Sequence, residues 1–211
     1  MTRTATRRYQ PMRQHLSYVA RDRKLFWLTP HVLTFGQSYP ESARLPRIVQ
    51  PFLQGVTAGT QESDYLSVMD GEDIVCIARN GGNRAVNIGY VLGSRVQAQV
   101  TAAGLLMMAL CKPDWQEGWL AIHELKTYTS FSHASKDRVS IELARIRTQG
   151  CAVSEQPLGL NHRRIAVPLR DRHGEVAGSL SVTIPMGYKS SEDAVARVCP
   201  CCARPLKPCA T

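Results

Sequence analysis

The chain has 211 residues, 44% of them apolar, and a formal net charge of +9. That length and apolar share suit one domain of ordinary size with an appendage. No stretch approaches the run of about eighteen apolar residues that a membrane-spanning helix needs. The charge is local: from Met1 to Phe26, seven Lys or Arg face one acid, Asp22, a balance of +6. A concentrated basic patch suits a polyanionic partner, and the absence of an apolar run argues against a secretory signal.

In the opening stretch Ala5, Tyr9, Met12 and Leu16 recur at helical spacing, with Arg7, Arg8 and Arg13 off that stripe. The spacing predicts a short basic helix, interrupted at Pro11, where proline removes a backbone donor. "SYVA" and "KLFWL" flank "RDR" and predict a two-stranded ribbon with a charged tip. "LTPHVLTFGQSY" reads as a linker helix with Pro30 at its start, and "LPRIVQPFLQGVTAGTQES" as an amphipathic helix containing Pro51. From Asp64 the period shortens: two strands meet at an Asp70-Gly71 turn, and "RAVNIGYVLGSRV" continues the sheet.

"TAAGLLMMALC" is expected to be a buried helix capped by Thr101, and "SKDRVSIELARIRTQG" a surface helix burying Val139, Leu143 and Ile146 and stopping at Gly150. "CAVSE", "RIAVPLRD" and "EVAGSLSVTIP" predict three further strands, and "SSEDAVARV" a final Ser-capped helix. The order βββ-α-α-α-βββ-α argues for an α+β domain, an antiparallel sheet flanked by helices. Cys76, Cys111 and Cys151 are expected to pack as small hydrophobes. Cys199, Cys201, Cys202 and Cys209 crowd the end in a C-x-C-C-x6-C pattern that matches zinc knuckles poorly, so no metal and no cofactor is expected. Nothing points to a disulfide framework, which makes the cytoplasm the expected compartment.

The blocks "YVARDRKLFWLTPHVLTFGQSY", "SVMDGEDIVCIAR", "GSRVQAQVTAAGLLMMAL", "ELARIRTQGCAVSEQ" and "IAVPLRDRHGEVAGSLSV" resemble, in order and spacing, the IclR family of bacterial transcriptional regulators. The nearer likeness is to its branch regulating aromatic-acid catabolism. The resemblance implies a winged helix-turn-helix, a linker helix and a GAF-like effector-binding domain, assembled as a homodimer or tetramer on double-stranded DNA. It assigns residues 1–28 to a partial winged helix-turn-helix, with recognition helix and wing but not the helices before them. Residues 29–42 then form the linker helix, 43–198 the effector-binding and oligomerisation domain, and 199–211 an atypical Cys-rich tail. On this reading the chain is N-terminally truncated, and a shifted reading frame would account for both altered ends.

The same resemblance sets candidate sites. Arg3, Thr4, Thr6, Arg7 and Arg8 would enter a major groove, and Arg21, Arg23 and Lys24 on the wing would neutralise phosphates. Each phosphate contact adds about −0.9 to the salt slope. The alternative is a basic tail that holds any polyanion weakly. The effector pocket would fall on Ile88, Val96, Ala102, Ala103, Ser154, His162, Arg164, Ser181 and Thr183. Ile88 and Val96 would form an apolar wall, and the start of the Thr101 helix a carboxylate site. Ser181 and Thr183 share one side of a strand, with Leu180 and Val182 opposite; a solvent-facing edge is the alternative. In "LGLNHRRIAVPL" the family's usual turn residues are replaced. Arg164 either holds a carboxylate bidentately or blocks the pocket, and Arg163 reads as a lone exposed side chain. No nucleophile elbow, zinc-protease or phosphate-loop motif occurs, and His123 and His133 read as surface residues, so no enzyme activity is expected. The expected function is an IclR-type regulator responding to a small, aromatic organic acid; the alternative is an effector-binding and oligomerisation module without autonomous DNA binding.

Overall fold

A computed structural model describes residues 16–23, 25–81, 90–125, 135–155, 162–185 and 190–202. The predicted basic helix with Arg3, Thr4, Thr6, Arg7 and Arg8 lies outside the described residues, as do Lys24, Ile88, His133 and Cys209. The chain divides into two compact units, Met1–Arg44 and Leu45–Thr211.

In the first unit, strands β1 (Val19–Asp22) and β2 (Leu25–Leu28) pair antiparallel. Asp22 stands opposite Leu25, which leaves a two-residue connection, and Arg23 takes a positive φ of 50° as tight hairpin turns require. The expected tip at Arg21–Arg23 is therefore displaced: Arg21 and Asp22 belong to the strand. Ser17 and Thr29 close the base of the ribbon through the Thr29 hydroxyl and the Ser17 carbonyl. A 3-10 turn at Pro30–Val32 leads into α1 (Leu33–Ser42), and Tyr18 stacks on Phe35 with ring centroids 4.5 Å apart.

The second unit is built on a six-stranded antiparallel sheet in the order β5-β4-β3-β8-β7-β6. Its strands are β3 (Ser63–Asp70), β4 (Asp73–Asn80), β5 (Arg95–Gln97), β6 (Ala152–Glu155), β7 (His162–Arg170) and β8 (Val176–Pro185). The helices are α2 (Arg44–Thr60), α3 (Ala102–Leu110), α4 (Pro113–Ile122), α5 (Lys136–Gln149) and α6 (Ser191–Cys202). Because side chains alternate along a strand, each face collects one parity. Leu66, Ile165, Val167, Leu180 and Val182 point to one face and pack against Val49, Leu53 and Val56 of α2 and Ala194 and Val198 of α6. α2 runs through Pro51, which sits on its exposed side. The other face carries Ile74, Ala152 and Ala166, covered by α3 and by Val139, Leu143 and Ile146 of α5.

α3 is fixed at both ends. Thr101 caps it by accepting a hydrogen bond from the Gly104 amide at 2.9 Å, as its sequence predicts. Gly104 lies so close to the preceding 3-10 turn that a Cβ there would come within 2.1 Å of the Ala98 carbonyl oxygen. At the far end, the Gln116 side-chain amide of α4 donates to the carbonyls of Met108 (2.6 Å), Ala109 (3.2 Å) and Cys111 (3.2 Å). Arg147 of α5 donates to the Ala109 carbonyl at 2.9 Å. These side chains satisfy carbonyls that a helix C-terminus cannot pair within itself. α5 begins at a Ser135 cap and ends, as expected, at Gly150 in the left-handed region. α6 continues past Val198 to Cys202, so the Cys-rich segment begins inside a helix.

A buried carboxyl sits on the α2-facing side of the sheet. Asp64 is fully buried and accepts a hydrogen bond from the Thr57 hydroxyl at 2.5 Å. Burial pushes its carboxyl from 3.8 up to about 7, against the lowering effect of Thr57. A carboxyl raised in the fold stabilises it fully below the unfolded value, and that contribution is lost as pH rises through the folded one. Stability should therefore fall between about pH 4 and pH 7 through this group. Asp64→Asn should remove the fall: urea midpoints of variant and wild type should diverge at pH 8, with the variant higher, and converge near pH 4.

Candidate functional site

The α3-facing side of the sheet carries an unusual set of polar residues for a covered face. Strand register arranges them in rows. Ser154 of β6 lies opposite Arg164 of β7, which lies opposite Thr183 of β8 and then Ser63 of β3. The next row runs Ala152, Ala166, Ser181, Tyr65 and Arg79, and the one after it Pro168, Ser179, Ser67 and Cys76. Ser67, Ser179 and Ser181 are completely buried, and Ser154, Arg164, Thr183 and Tyr65 nearly so.

Arg164 is the centre of this set. Its guanidinium carbon lies 5.0 Å from the centroid of the Tyr90 ring, and Tyr90 meets Tyr65 edge-on at 5.5 Å. Only 8% of Arg164 is exposed, and its Nε and Nη1 have no hydrogen-bond acceptor among the described residues. The hydroxyls of Ser67, Ser179, Ser181 and Tyr90 are buried without partners among the described residues as well. Thr183 and Tyr65 share a long contact of 3.5 Å between their oxygens. Burial pushes both the Tyr65 and Tyr90 phenols up, while the Arg164 charge pulls them down; both stay neutral at ordinary pH and keep a proton to donate. Burial likewise pushes the Cys76 thiol up to about 11, so it too is neutral.

Most of the expected pocket residues converge on this layer. Ser154, Arg164 and Thr183 share a row, and Ser181 stands one row along. Ala102 and Ala103, in the first turn of α3, belong to the apolar layer with Ala152 and Ala166, and Val96 of β5 packs against it. His162 opens β7 with the same parity as Arg164, opposite Pro185 at the end of the sheet, and is half-buried. Ser181 and Thr183 are buried on a central strand, which removes the solvent-facing alternative. Tyr65, Ser67, Tyr90 and Ser179 were missed by the sequence reading. For Ser179 a signal existed, since it shares the parity of Ser181 and Thr183.

Two expectations are corrected. Arg163 is not an exposed side chain: it is buried, and register places it opposite Glu155, with Nη2 2.7 Å from the carboxylate. It therefore serves the opposite face from Arg164. His123 is not a bare surface residue. Its Nδ1 donates to the Trp119 carbonyl at 2.8 Å, its Nε2 lies 2.5 Å from Glu72, and its ring stacks on Trp119. The hydrogen bond to Glu72 raises the imidazole above its usual value. This tie between α4 and the β3–β4 turn is complete below the unfolded imidazole value and is lost as pH rises through the raised one. Glu72→Gln should thus cost stability at pH 6 and little at pH 8, read as the difference in urea midpoint from wild type.

On the ribbon, Arg21 donates from Nε to the Arg23 carbonyl at 2.8 Å, and its guanidinium lies 5.3 Å from the Phe26 ring. Arg21 and Arg23 are exposed. Among the described residues no cluster of side chains could hold a metal ion, and no helix is long and apolar enough to cross a membrane.

The profile of the family described as bacterial transcriptional regulator IclR C-terminal matches residues 37–205. The Pca operon regulatory protein of Acinetobacter baylyi is 29% identical over 204 residues, covering 95% of this chain and 73% of that protein. The p-hydroxybenzoate hydroxylase transcriptional activator of the same organism is 30% identical over 186 residues, covering 86% and 69%. Among solved structures, a transcriptional regulator from Rhodococcus sp. RHA1 superposes with a TM-score of 0.79 at 30% identity, covering 95% of this chain and 80% of that one. These relatives are regulators and not enzymes. The sheet with its buried arginine is thus carried by a chain that belongs to the IclR family of bacterial transcriptional regulators.

Proposed function

We propose that the α3-facing side of the sheet binds a small aromatic acid, and that this binding modulates the engagement of an operator by a dimer or tetramer of the chain. One observation carries the reading: Arg164 is a buried cation with two of its nitrogens, Nε and Nη1, unsatisfied among the described residues. An uncompensated buried charge is costly, and a bidentate carboxylate is the complement that its planar fork fits best. Ser154 and Thr183 flank Arg164 in its row, and the first turn of α3 adds the N–H groups that a helix leaves unpaired. Two neutral tyrosines set edge-to-face favour a flat, unsaturated ligand over an aliphatic one. The activator of p-hydroxybenzoate hydroxylase among the relatives points to the same ligand class.

A screen of benzoates and keto acids by thermal shift tests this directly. A ligand at a hundred times its dissociation constant stabilises by about 2.7 kcal/mol. Shifts given by the acids and not by the matching amides support the reading; a flat response to every acid overturns it. For DNA, Arg21 and Arg23 of the ribbon, together with the neighbouring Lys24, would contact phosphates. Gel shifts should then show operator preference over random duplex, weakened by acid or strengthened by it. Equal affinity for both duplexes leaves the effector-binding module without autonomous DNA recognition.

A further inference from the structure

α4 buries only one of its sides. Trp119 and Leu120 turn into the α3-facing layer, and Gln116 reaches the end of α3. Trp115, Gly118 and Ile122, spaced three and four apart, form a stripe that faces solvent; Trp115 is 37% exposed and Ile122 78%. Gly118 gives the stripe a flat floor, because nothing lies within 4 Å of the place a Cβ would take. α5 runs beside α4 in the opposite direction. Lys136 donates to the Ala121 carbonyl at 3.1 Å, while Arg147 shares the Ala109 carbonyl with Gln116. Between those two ties Ile141 is 70% exposed, on the side away from the buried Val139, Leu143 and Ile146. Among the described residues of the second unit, three of the six exposed large apolar side chains thus stand on this outer layer. Apolar surface gathered in one place marks an interface, whereas single exposed side chains do not.

We propose that α4 is a contact surface between two copies of the chain, packed antiparallel about a twofold axis at Gly118. The inference rests on the proposed assembly of the chain as a dimer or tetramer and names the surface; it does not depend on Arg164 or on a ligand. The pattern around Gly118 is self-complementary. Lys112 and Glu124 each stand six residues from it, both exposed and neither in an ion pair among the described residues. An antiparallel copy brings the Lys112 end of one α4 to the Glu124 end of the other, and the twofold axis makes that match twice.

The apolar residues obey the same symmetry. Trp115 lies three residues before Gly118 and Ile122 four after it, on the same side of the helix, so each tryptophan meets the partner's Ile122 across the glycine floor. A parallel copy would set lysine against lysine and glutamate against glutamate at the two ends, and would align the helix dipoles unfavourably. The antiparallel contact thus needs no surface that α4 does not itself supply.

Within one chain Lys112 and Glu124 are about 18 Å apart along α4 and cannot pair, so exchanging their charges reads a contact between copies. The test is sedimentation velocity, without ligand and over a concentration series, on the 211-residue chain and four variants. These are Lys112→Glu, Glu124→Lys, the double exchange Lys112→Glu with Glu124→Lys, and Ile122→Ser. Self-association should weaken about tenfold in Ile122→Ser and about threefold in each single reversal, and recover in the double exchange. Melting temperatures of the dissociated chains should match wild type, since all three side chains are exposed. If every form sediments as the same oligomer, α4 is not the surface while the assembly itself stands. If the single reversals weaken association and the double exchange fails to restore it, the antiparallel twofold contact is wrong. A wild type that stays monomeric at every concentration removes the proposed assembly and this contact together, and leaves the acid response of Arg164 untouched. If Ile122→Ser lowers the melting temperature of the monomer without changing sedimentation, residues 126–134 of the same chain cover the stripe and the contact is overturned.

Discussion

Arg164→Met is expected to stabilise the ligand-free chain and to abolish its response to acids. Methionine keeps the unbranched stem and much of the volume of arginine while removing a buried charge whose Nε and Nη1 are unmatched among the described residues. Exchanging buried ionic groups for apolar ones of similar volume is commonly neutral or stabilising; here a gain of roughly 1–2 kcal/mol is expected, a rise of several degrees in melting temperature. Loss of a charge-assisted bidentate contact should weaken benzoate binding by about a hundredfold, about 2.7 kcal/mol. Arg164→Lys separates charge from shape: it keeps the cation but not the fork, and should retain part of the affinity. A structural role for Arg164 would give the reverse pattern, with Arg164→Met lowering the melting temperature and leaving the acid response in place. Differential scanning calorimetry with and without benzoate reads both quantities.

Gly104→Ala is expected to be among the most damaging single-methyl additions available to the chain. The new Cβ would meet three backbone atoms of Ala98, the carbonyl oxygen at 2.1 Å, Cα at 2.4 Å and the carbonyl carbon at 2.5 Å. None of these is the end of a flexible side chain, so the 3-10 turn must move away from α3. Ala98 cannot yield cheaply: it is fully buried, its amide donates to the Glu72 carbonyl at 3.0 Å, and its own carbonyl accepts from Thr101 at 3.2 Å. A loss of about 3 kcal/mol is expected, at the upper end for overpacking. Gly118→Ala on α4 is the control, since a Cβ there meets nothing within 4 Å; it should stabilise by about 0.5–1 kcal/mol through helix propensity. Urea denaturation of both variants measures the contrast. The displaced first turn of α3 should also reduce benzoate affinity in whatever fraction of Gly104→Ala remains folded.

What could be read from the residues was local. Thr101 and Gly150 mark helix ends through chemistry confined to a few neighbours, and the structure uses both, one as a cap and one as a stop. The Asp70-Gly71 turn and the alternation through Ser181 and Thr183 are equally local, and both survive. The errors arise where a partner is distant in sequence. Nothing in "NHRRIAV" tells Arg163 from Arg164. Their fates separate because register brings Glu155 opposite the first and leaves the second on the α3-facing side. His123 gains a carboxylate only because α4 ends beside a turn some fifty residues earlier. Tyr65, Ser67 and Tyr90 join the polar layer around Arg164 through the pairing of β3 with β8 and the approach of Tyr90 to Arg164, neither of which leaves a pattern in the chain.

The clamp on the far end of α3 bears on how an occupied site could be sensed. Gln116 and Arg147 hold the last carbonyls of α3 from two different helices, while Thr101 and the tight contact at Gly104 hold its first turn. A helix tied in this way does not absorb a push at one end by unravelling at the other. It transmits it as a lever does, and the load arrives on α4 and α5. A rod of nine residues is about 14 Å long, so a small tilt imposed at Ala102 becomes a shift of comparable size at Gln116 and Arg147. The outer helices α4 and α5 are therefore where a displacement of the first turn of α3 would be felt.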